Sequence, residues 1–476
     1  MKAHGAGMTE MPPFSQLGDR QIAIGTPTAG IRTGSLAERV LFWVLVLSFA
    51  VPLQMRLPLG EFLLPIYFFD VPLLALAVVW LLQIVMRDVP PRWQGLDAVL
   101  MVFFLWLMVT SLAGFDPHTS IAGALLWLRV LLVFFYFRNR VGRAIAQASF
   151  LRIMSILLAV EVVVAVAQIA TQSTIGALNQ YFGIAWVRDS RQWIAGTTWV
   201  TRVQGTFGNA KLFSTWLVMV LPFQLARALT VRRRALRIGH IALLGSGLLV
   251  LVLSLSRADI GAAVVAGTVF LVLVAPRERR RTVALVCIGA AIGAAALLWT
   301  GVPIGEALAK RVSSSSLLDP KRVAYIQSAL AIAARHPMLG VGYDNFTLGM
   351  DLASFPFPVM PGVGVHCIPL LLLAEAGLPA ALLLVGWIGG VMARIQRGAC
   401  RLPRGRRTVI VAALASVTAA SLSALFDVSF LHQNALITFS AVAGAGLAMR
   451  DRAAGAAVSP PAIGERRSPR SDRRWC

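Results

Sequence analysis

Twelve apolar stretches follow one another along most of this chain, and short polar segments separate nearly all of them. Each stretch has about 17–25 residues, the length that an α-helix needs to cross a bilayer. We therefore predict an all-α integral membrane protein with about twelve transmembrane helices. The predicted spans are residues 39–55, 62–86, 95–115, 119–137, 149–170, 209–229, 237–254, 258–275, 282–303, 365–391, 408–428 and 433–449.

Composition and charge support a membrane protein. The chain is 57% hydrophobic and only 14% charged, whereas soluble domains are about half apolar and a quarter charged. The net charge of +23 raises the question of nucleic acid. With the N-terminus inside, 32 of the 44 basic residues fall in predicted inside segments, 11 fall outside and Arg129 lies within a span. The positive-inside rule therefore explains the charge, and we predict cytoplasmic termini and no nucleic-acid partner.

The same spans define the domain organisation. Residues 1–38 lack the pattern of a removed signal peptide and are predicted to be a disordered cytoplasmic tail. Residues 39–449 form one membrane domain with two long outside loops, at about 171–208 and 301–365. Residues 450–476 form a basic cytoplasmic tail, predicted to be disordered and able to contact anionic lipid of the inner membrane.

The second long loop is predicted to be folded. Asp319 is a good N-cap, and Pro320 suits the first turn of a helix. Pro337 disfavours helical geometry in the residue before it, so this helix should end at His336. A glycine-hinged turn, residues 338–346, follows.

Several ionisable residues lie inside predicted spans, where charge is costly and usually faces a partner or a cavity; Asp70, Arg129, Glu161 and Glu375 are among them. We predict a structural ion pair between Asp70 and Arg129, and the residues leave the roles of Glu161 and Glu375 open. The four cysteines are scattered without metal-ligand or disulfide spacing, so no metal site and no cofactor are predicted.

Basic residues recur where predicted helices begin on the outer face: Arg202 and Lys211, Arg257, Arg322, and finally His366. Arginine offers a planar fork of donors that matches phosphate, and histidine can accept a proton near neutral pH. Together these residues suit a lipid-linked phosphate or diphosphate with a hydroxyl attacking next to it. The alternative is ordinary charge at the membrane boundary.

The order of these motifs resembles the O-antigen ligase and polymerase family, which are membrane glycosyltransferases of bacterial surface polysaccharide. The resemblance covers about residues 200–390. Its pieces are Arg202 with Gly205-Thr206-Phe207-Gly208-Asn209; Ser256-Arg257; Arg322 with His336-Pro337-Met338-Leu339-Gly340-Val341-Gly342 and Asn345-Phe346; and His366 with Glu375-Ala376-Gly377-Leu378.

The resemblance implies a GT-C-like enzyme of the bacterial inner membrane with a periplasmic active site. Its donor would be a glycan on undecaprenyl diphosphate, and its acceptor a hydroxyl of a glycan or of lipid A-core, with no metal or nucleotide-sugar. By resemblance, Arg202, Arg257 and His366 are catalytic. We assign diphosphate or glycan binding to Arg322, Lys211, Asn209 and Tyr343.

The sequence departs from the family pattern at two points. Ala210-Lys211 replaces the usual Pro-Asn. Ligases of this family often have Asn, Ser or Gln after the histidine and, nine residues later, a Gly-x-x-Gly segment with two threonines. Here Cys367 follows His366, and this ligase-type ending is absent. A polymerase of O-antigen or exopolysaccharide repeat units is therefore the close alternative. A transporter or flippase of lipid-linked sugar is the alternative of another class, and the absence of an evident repeat between the two halves speaks against it.

Overall fold

A computed structural model gives the fold of the chain. The structure describes residues 36–51, 53–59, 62–87, 91, 93–141, 144–175, 191–194, 198–276, 279, 281–282, 320–352, 365–400, 402 and 404–458.

Thirteen α-helices and two β-hairpins are numbered here in chain order within these residues. They are α1 Leu36–Leu47, β1 Gln54–Leu59, β2 Phe62–Tyr67, α2 Asp70–Arg87, α3 Gly95–Leu112, α4 Pro117–Arg140, α5 Ala144–Thr171, β3 Arg191–Ile194, β4 Thr198–Thr201, α6 Ala210–Thr230, α7 Arg234–Leu253, α8 Arg257–Val274, α9 Pro320–Arg335, α10 Phe346–Leu352, α11 Ile368–Ala399, α12 Arg404–Ala424 and α13 Gln433–Val458. Three short 3₁₀ turns occupy Ser48–Ala50, Gly205–Phe207 and Val428–Leu431.

Eight helices in the described part of the chain are long and apolar enough to cross a membrane: α3 to α8, α11 and α12. Helices α6 and α12 are buried along most of their length, while few residues of α7 and α8 are fully buried. The predicted integral membrane protein is confirmed, and the count of twelve spans is not. Of the ninth predicted span, residues 282–303, all but the first residue lie outside the described residues.

The first two predicted spans are wrong in their details, because a β-hairpin lies where they were placed. Strands β1 and β2 pair antiparallel, with Gln54 opposite Tyr67. Pro58 and Pro65 lie in these strands, and proline removes a donor from a helix and clashes with the preceding turn. Hydropathy alone does not separate short apolar strands from helices. A second hairpin, β3–β4, lies in the first long loop.

The C-terminal helix runs nine residues further than its predicted end at 449, so the predicted disorder from 450 onward is wrong as far as Val458. Asp451 explains the extension, because its carboxylate pairs with the Arg138 guanidinium of α4 at 2.5 Å. Arg138 is 2% exposed and also faces Asp97 at 3.6 Å. A buried cation thus attaches the end of α13 to α3 and α4.

Two local predictions are confirmed. Arg129 Nε lies 2.7 Å from Asp70 Oδ1, so the predicted intramembrane ion pair is present. Helix α9 begins at Pro320 and ends at Arg335, one residue before His336, as the flanking prolines indicate. Tyr325 and Ile332 of α9 pack with Leu371 of α11, which fixes the loop helix against the membrane helices.

Candidate active site

Arg202 lies directly against the turn that carries Ser256 and Arg257. Its Nε donates to the Ser254 carbonyl at 2.9 Å, and the next residue, Val203, donates its N–H to the Leu253 carbonyl at 3.5 Å. The segment before α6 therefore runs beside the α7–α8 turn. Two motifs that are some fifty residues apart in the sequence become neighbours.

Helix α5 holds the residues that follow Arg202. Gln168 Oε1 accepts from the N–H groups of Gln204 and Gly205 at 3.1 Å each, and its Nε2 donates to the Gly205 carbonyl at 2.8 Å. The Glu161 carboxylate accepts from the Thr206 N–H at 3.0 Å. Gly205 has φ +56°, and an added Cβ would collide with Glu161, so only glycine fits this turn. Glu161, whose role the sequence left open, supports the Arg202 segment.

The start of α6 places Asn209 and Lys211. Asn209 is the N-cap, and its Oδ1 accepts from the N–H groups of Lys211 and Leu212 at 2.9 and 3.4 Å. Lys211 Nζ lies 2.5 Å from Asp427 Oδ2, so this cation is neutralised by an acid that precedes the 3₁₀ turn at 428–431. The structure gives both residues structural contacts, and their predicted binding roles stay predictions.

Asp427 is 6% exposed. Burial alone would raise the pKa of its carboxyl, but the charge of Lys211 and hydrogen bonds from Lys211 and Ser429 outweigh it and hold the pKa below its usual value. Ser429 donates its N–H at 2.8 Å and its hydroxyl at 2.6 Å to the same oxygen. The Asp427 carboxyl is therefore ionised at neutral pH.

Arg257 and Arg322 come together from different parts of the chain. Arg257 is the first residue of α8, and Arg322 lies in the first turn of α9. Both are partly exposed, and they lie close enough for their like charges to repel. An anion between them would relieve that repulsion, and helix N-termini supply further positive potential.

His366 lies at the same end of the bundle. The residue before it, Val365, is fully buried in a cluster with Tyr325 of α9, and Leu431 packs against this cluster. Cys367, the residue after it, is the N-cap of α11. His366 itself is partly exposed. Because its neighbour Val365 packs in this cluster, the chain here lies beside α9, which carries Arg322, and beside the 3₁₀ turn that follows Asp427.

The glycine-hinged turn after α9 docks on a kink in α11. The N–H groups of Val341 and Gly342 donate to the carbonyls of Ala374 and Glu375 at 3.1 and 2.8 Å. In return Leu378 donates its N–H to the Pro337 carbonyl at 2.8 Å. Two motifs of the resemblance, the turn and Glu375-Ala376-Gly377-Leu378, are thus two halves of one joint.

The turn between α3 and α4 closes the other side of this joint. Phe115 donates its N–H to the Val341 carbonyl at 2.9 Å, and Asn345 Nδ2 donates to the Asp116 carbonyl at 3.2 Å. Tyr343 is 8% exposed, and its hydroxyl accepts from Trp127 Nε1 at 3.0 Å. Tyr343 was predicted to bind substrate, and the structure places it among the helices instead of beside the arginines.

Sequence reasoning missed two acids, Asp259 and Asp427, and the supporting amide of Gln168. Asp259 carried a usable signal, because it is an acid within a predicted span only two residues after Arg257. The partners of Asp427 and Gln168 are distant in the sequence, so only the fold shows them. In the described part of the chain, no three His, Cys, Asp or Glu side chains form a group that could hold a metal ion.

Comparison with known proteins identifies a family for part of this chain. Residues 240–385 match the model of the O-antigen ligase family. The matched segment contains Arg257, Arg322, the glycine-hinged turn and His366, while Arg202 and Lys211 precede it. No curated protein matches the chain.

Proposed function

Because residues 240–385 belong to the O-antigen ligase family, a glycosyltransferase-like family of polysaccharide biosynthesis, we propose a specific reaction for this membrane protein. It transfers a glycan from undecaprenyl diphosphate to an acceptor hydroxyl on the periplasmic face of the bacterial inner membrane. One observation supports this proposal most: Arg202 bonds the turn that precedes Arg257, and the charge of Arg257 interacts with that of Arg322.

The arginines would bind the diphosphate of the donor. Their planar guanidinium groups match phosphate oxygens, and they keep their charge at every relevant pH. Arg257 and Arg322 already repel one another, so a diphosphate anion would be attracted to the space between them. Arg202 joins them through its bond to the Ser254 carbonyl, at the turn before Arg257.

His366 would take the proton of the attacking hydroxyl. The acceptor oxygen attacks the anomeric carbon of the donor glycan, and the bond from that carbon to the diphosphate oxygen breaks. The diphosphate departs as an anion stabilised by the arginines, so it needs no proton. The proton of the acceptor hydroxyl passes to the imidazole, and one base is enough.

A polymerase acts by the same steps, with a second lipid-linked glycan as the acceptor instead of lipid A-core. The sequence after His366 favours keeping this candidate, because Cys367 follows the histidine and the ligase-type ending is absent. Deletion followed by sizing of surface glycans and of the lipid-linked pool separates the two. A ligase defect leaves long glycans on the lipid carrier, while a polymerase defect leaves single repeat units.

Purified protein in liposomes with lipid-linked glycan and acceptor tests the proposal directly. Changing Arg202, Arg257 or Arg322 singly to Gln should cost about 2–4 kcal/mol of transition-state stabilisation, since a partly dehydrated phosphate charge is left unpaired. The corresponding Lys variants should keep only part of the wild-type activity, because lysine keeps the charge but lacks the planar fork of donors.

Arg335→Gln is the matched control. Arg335 is the last residue of α9, about 20 Å from Arg322 in the first turn at 1.5 Å per residue. The Arg335→Gln variant should therefore keep its activity. Movement of lipid-linked glycan across the bilayer with no product would establish a flippase and overturn the proposal. So would three arginine variants that transfer glycan as fast as wild type.

A further inference from the structure

We propose that Asp259 is a positioning residue for Arg257: its carboxylate fixes the turn that presents the arginine to the donor diphosphate. The inference rests on the proposed function, because it takes the diphosphate as the ligand of Arg257. Asp259 is 1% exposed and lies in the first turn of α8, two residues after Arg257.

The carboxylate of Asp259 joins three elements through hydroxyl donors. Its Oδ2 accepts from Ser214 of α6 at 2.5 Å and from Ser256 at 2.6 Å. Its Oδ1 accepts from Ser423 of α12 at 2.6 Å, with Thr215 further away at 3.4 Å. Two carboxylate oxygens offer about four acceptor sites, so one side chain can hold all these donors.

Ser256 connects this network to Arg257. It occupies the N-cap position of α8, but its hydroxyl makes no capping bond to the helix backbone. The hydroxyl donates to Asp259 instead, and the Ser256 N–H donates to Ser254 Oγ at 3.3 Å. The residue immediately before Arg257 is therefore fixed by the buried acid.

The turn needs such support because its backbone is strained. Leu255 has φ +56°, a left-handed conformation that strains a non-glycine residue and persists only where surrounding contacts fix it. On its other side, the Ser254 carbonyl accepts from Arg202. Asp259 and Arg202 thus hold the same short turn, and the acid determines where both arginines lie.

A purely structural role would also explain a buried acid that joins α6, α8 and α12. The two roles differ in which hydrogen bond matters. Ser423→Ala removes the bond to α12 and leaves the Ser256 bond intact, whereas Ser256→Ala removes the bond at the turn. Positioning requires the Ser256 bond, while a structural link between helices requires both equally.

The experiment is a double-mutant cycle on the full-length purified protein, with undecaprenyl diphosphate without glycan as the probe. Asp259→Asn should weaken probe binding about tenfold in the presence of Arg257, and less than about twofold in Arg257→Gln protein, since the effects of residues that act through one another are not additive. Ser256→Ala should show the same dependence on Arg257. Ser423→Ala should lower the melting temperature and leave probe binding unchanged.

Three results would overturn the inference. Losses of binding that are equal in the wild-type and Arg257→Gln backgrounds would make Asp259 a structural residue. So would a loss in Ser423→Ala that matches the loss in Ser256→Ala, and the two serine variants decide the matter if Asp259→Asn does not fold. Wild-type protein that does not bind the probe would overturn the proposed function, and this inference with it.

Discussion

His366 lies where the chain enters α11, between a fully buried valine and the N-cap of that helix. The backbone on both sides is therefore fixed, while His366 itself is partly exposed. This placement suits a group that must meet a substrate hydroxyl without moving far.

His366→Ala should lower turnover about a hundredfold or more, the usual contribution of general-base catalysis, while the lipid-linked donor still binds. His366→Gln keeps a hydrogen bond and should retain a little activity, but it cannot take the proton. The transfer assay is run beside a donor-binding measurement, with His118→Ala, an exposed histidine of α4, as the control. Unchanged turnover in His366→Ala would remove this residue from the mechanism, and a parallel loss of donor binding would make it a positioning residue.

The stability that the Lys211–Asp427 ion pair contributes should depend on pH. The folded-state pKa of Asp427 lies below the ordinary value of 3.8, so its stabilisation is present above pH 3.8 and is lost as pH falls through the folded pKa. Asp427→Asn should lower the free energy of unfolding by roughly 1–3 kcal/mol, since the ion pair is intermediate between exposed and buried. The difference in unfolding free energy should be constant from about pH 8 to 5 and shrink below that.

Lys211→Met is the partner variant, and the double variant should cost less than the sum of the two single changes. Unfolding in detergent across this pH range measures all three. A deficit for Asp427→Asn that appears only between about pH 6 and 8, or that persists undiminished in strong acid, would show that another group is responsible.

At the scale of elements, the joint between the glycine-hinged turn and α11 organises the site. It fixes the end of α9, and therefore Arg322, against the helix that begins just after His366. The sequence predicted α9 correctly, since prolines mark both its ends. The docking of the turn on residues 374–378 was not predictable, because it depends on backbone hydrogen bonds between segments that the sequence shows only as separate motifs.

Gly377→Ala should disrupt this joint. Gly377 has φ +77°, and an added Cβ would collide with the Met338 carbonyl, so the substitution adds a clash to about 1–3 kcal/mol of backbone strain. We expect a much lower melting temperature and lost transfer activity. Gly386→Ala is the control on the same helix, because nothing lies within 4 Å of its added Cβ, and it should be close to neutral. Equal melting temperatures for the two variants would show that the kink needs no glycine.

At the scale of the whole molecule, the sequence indicates a helical membrane protein and locates α3 to α8 within a few residues, because hydropathy over a bilayer-length window is a strong signal. It fails for the first hairpin, where short apolar strands resemble helix. It also fails for Asp427 and Gln168, which act on residues far away in the sequence. Motif order led us to predict that the arginines converge, and only the fold shows the hydrogen bond that attaches Arg202 to the turn before Arg257.

The membrane topology is the prediction on which the site depends. The part of α11 that follows the kink at Gly377, residues 378–399, has 22 residues, about 33 Å at 1.5 Å per residue, which is enough to cross the roughly 30 Å of bilayer hydrocarbon. Residues 330 and 400 should therefore lie on opposite sides. Basic residues concentrate after α11, so reporters fused after residues 330 and 400 should report outside and inside, respectively.

The proximity of Arg257 to Arg322 adds a constraint that hydropathy does not supply. A truncation fused after residue 255, in the α7–α8 turn, must report the same side as one fused after residue 330. A truncation fused after residue 232, between α6 and α7, must report the opposite side, since α7 is long enough to cross the bilayer. If the fusions after residues 330 and 400 report the same side, α11 does not cross. If those after 255 and 330 differ, Arg257 and Arg322 cannot share one anion.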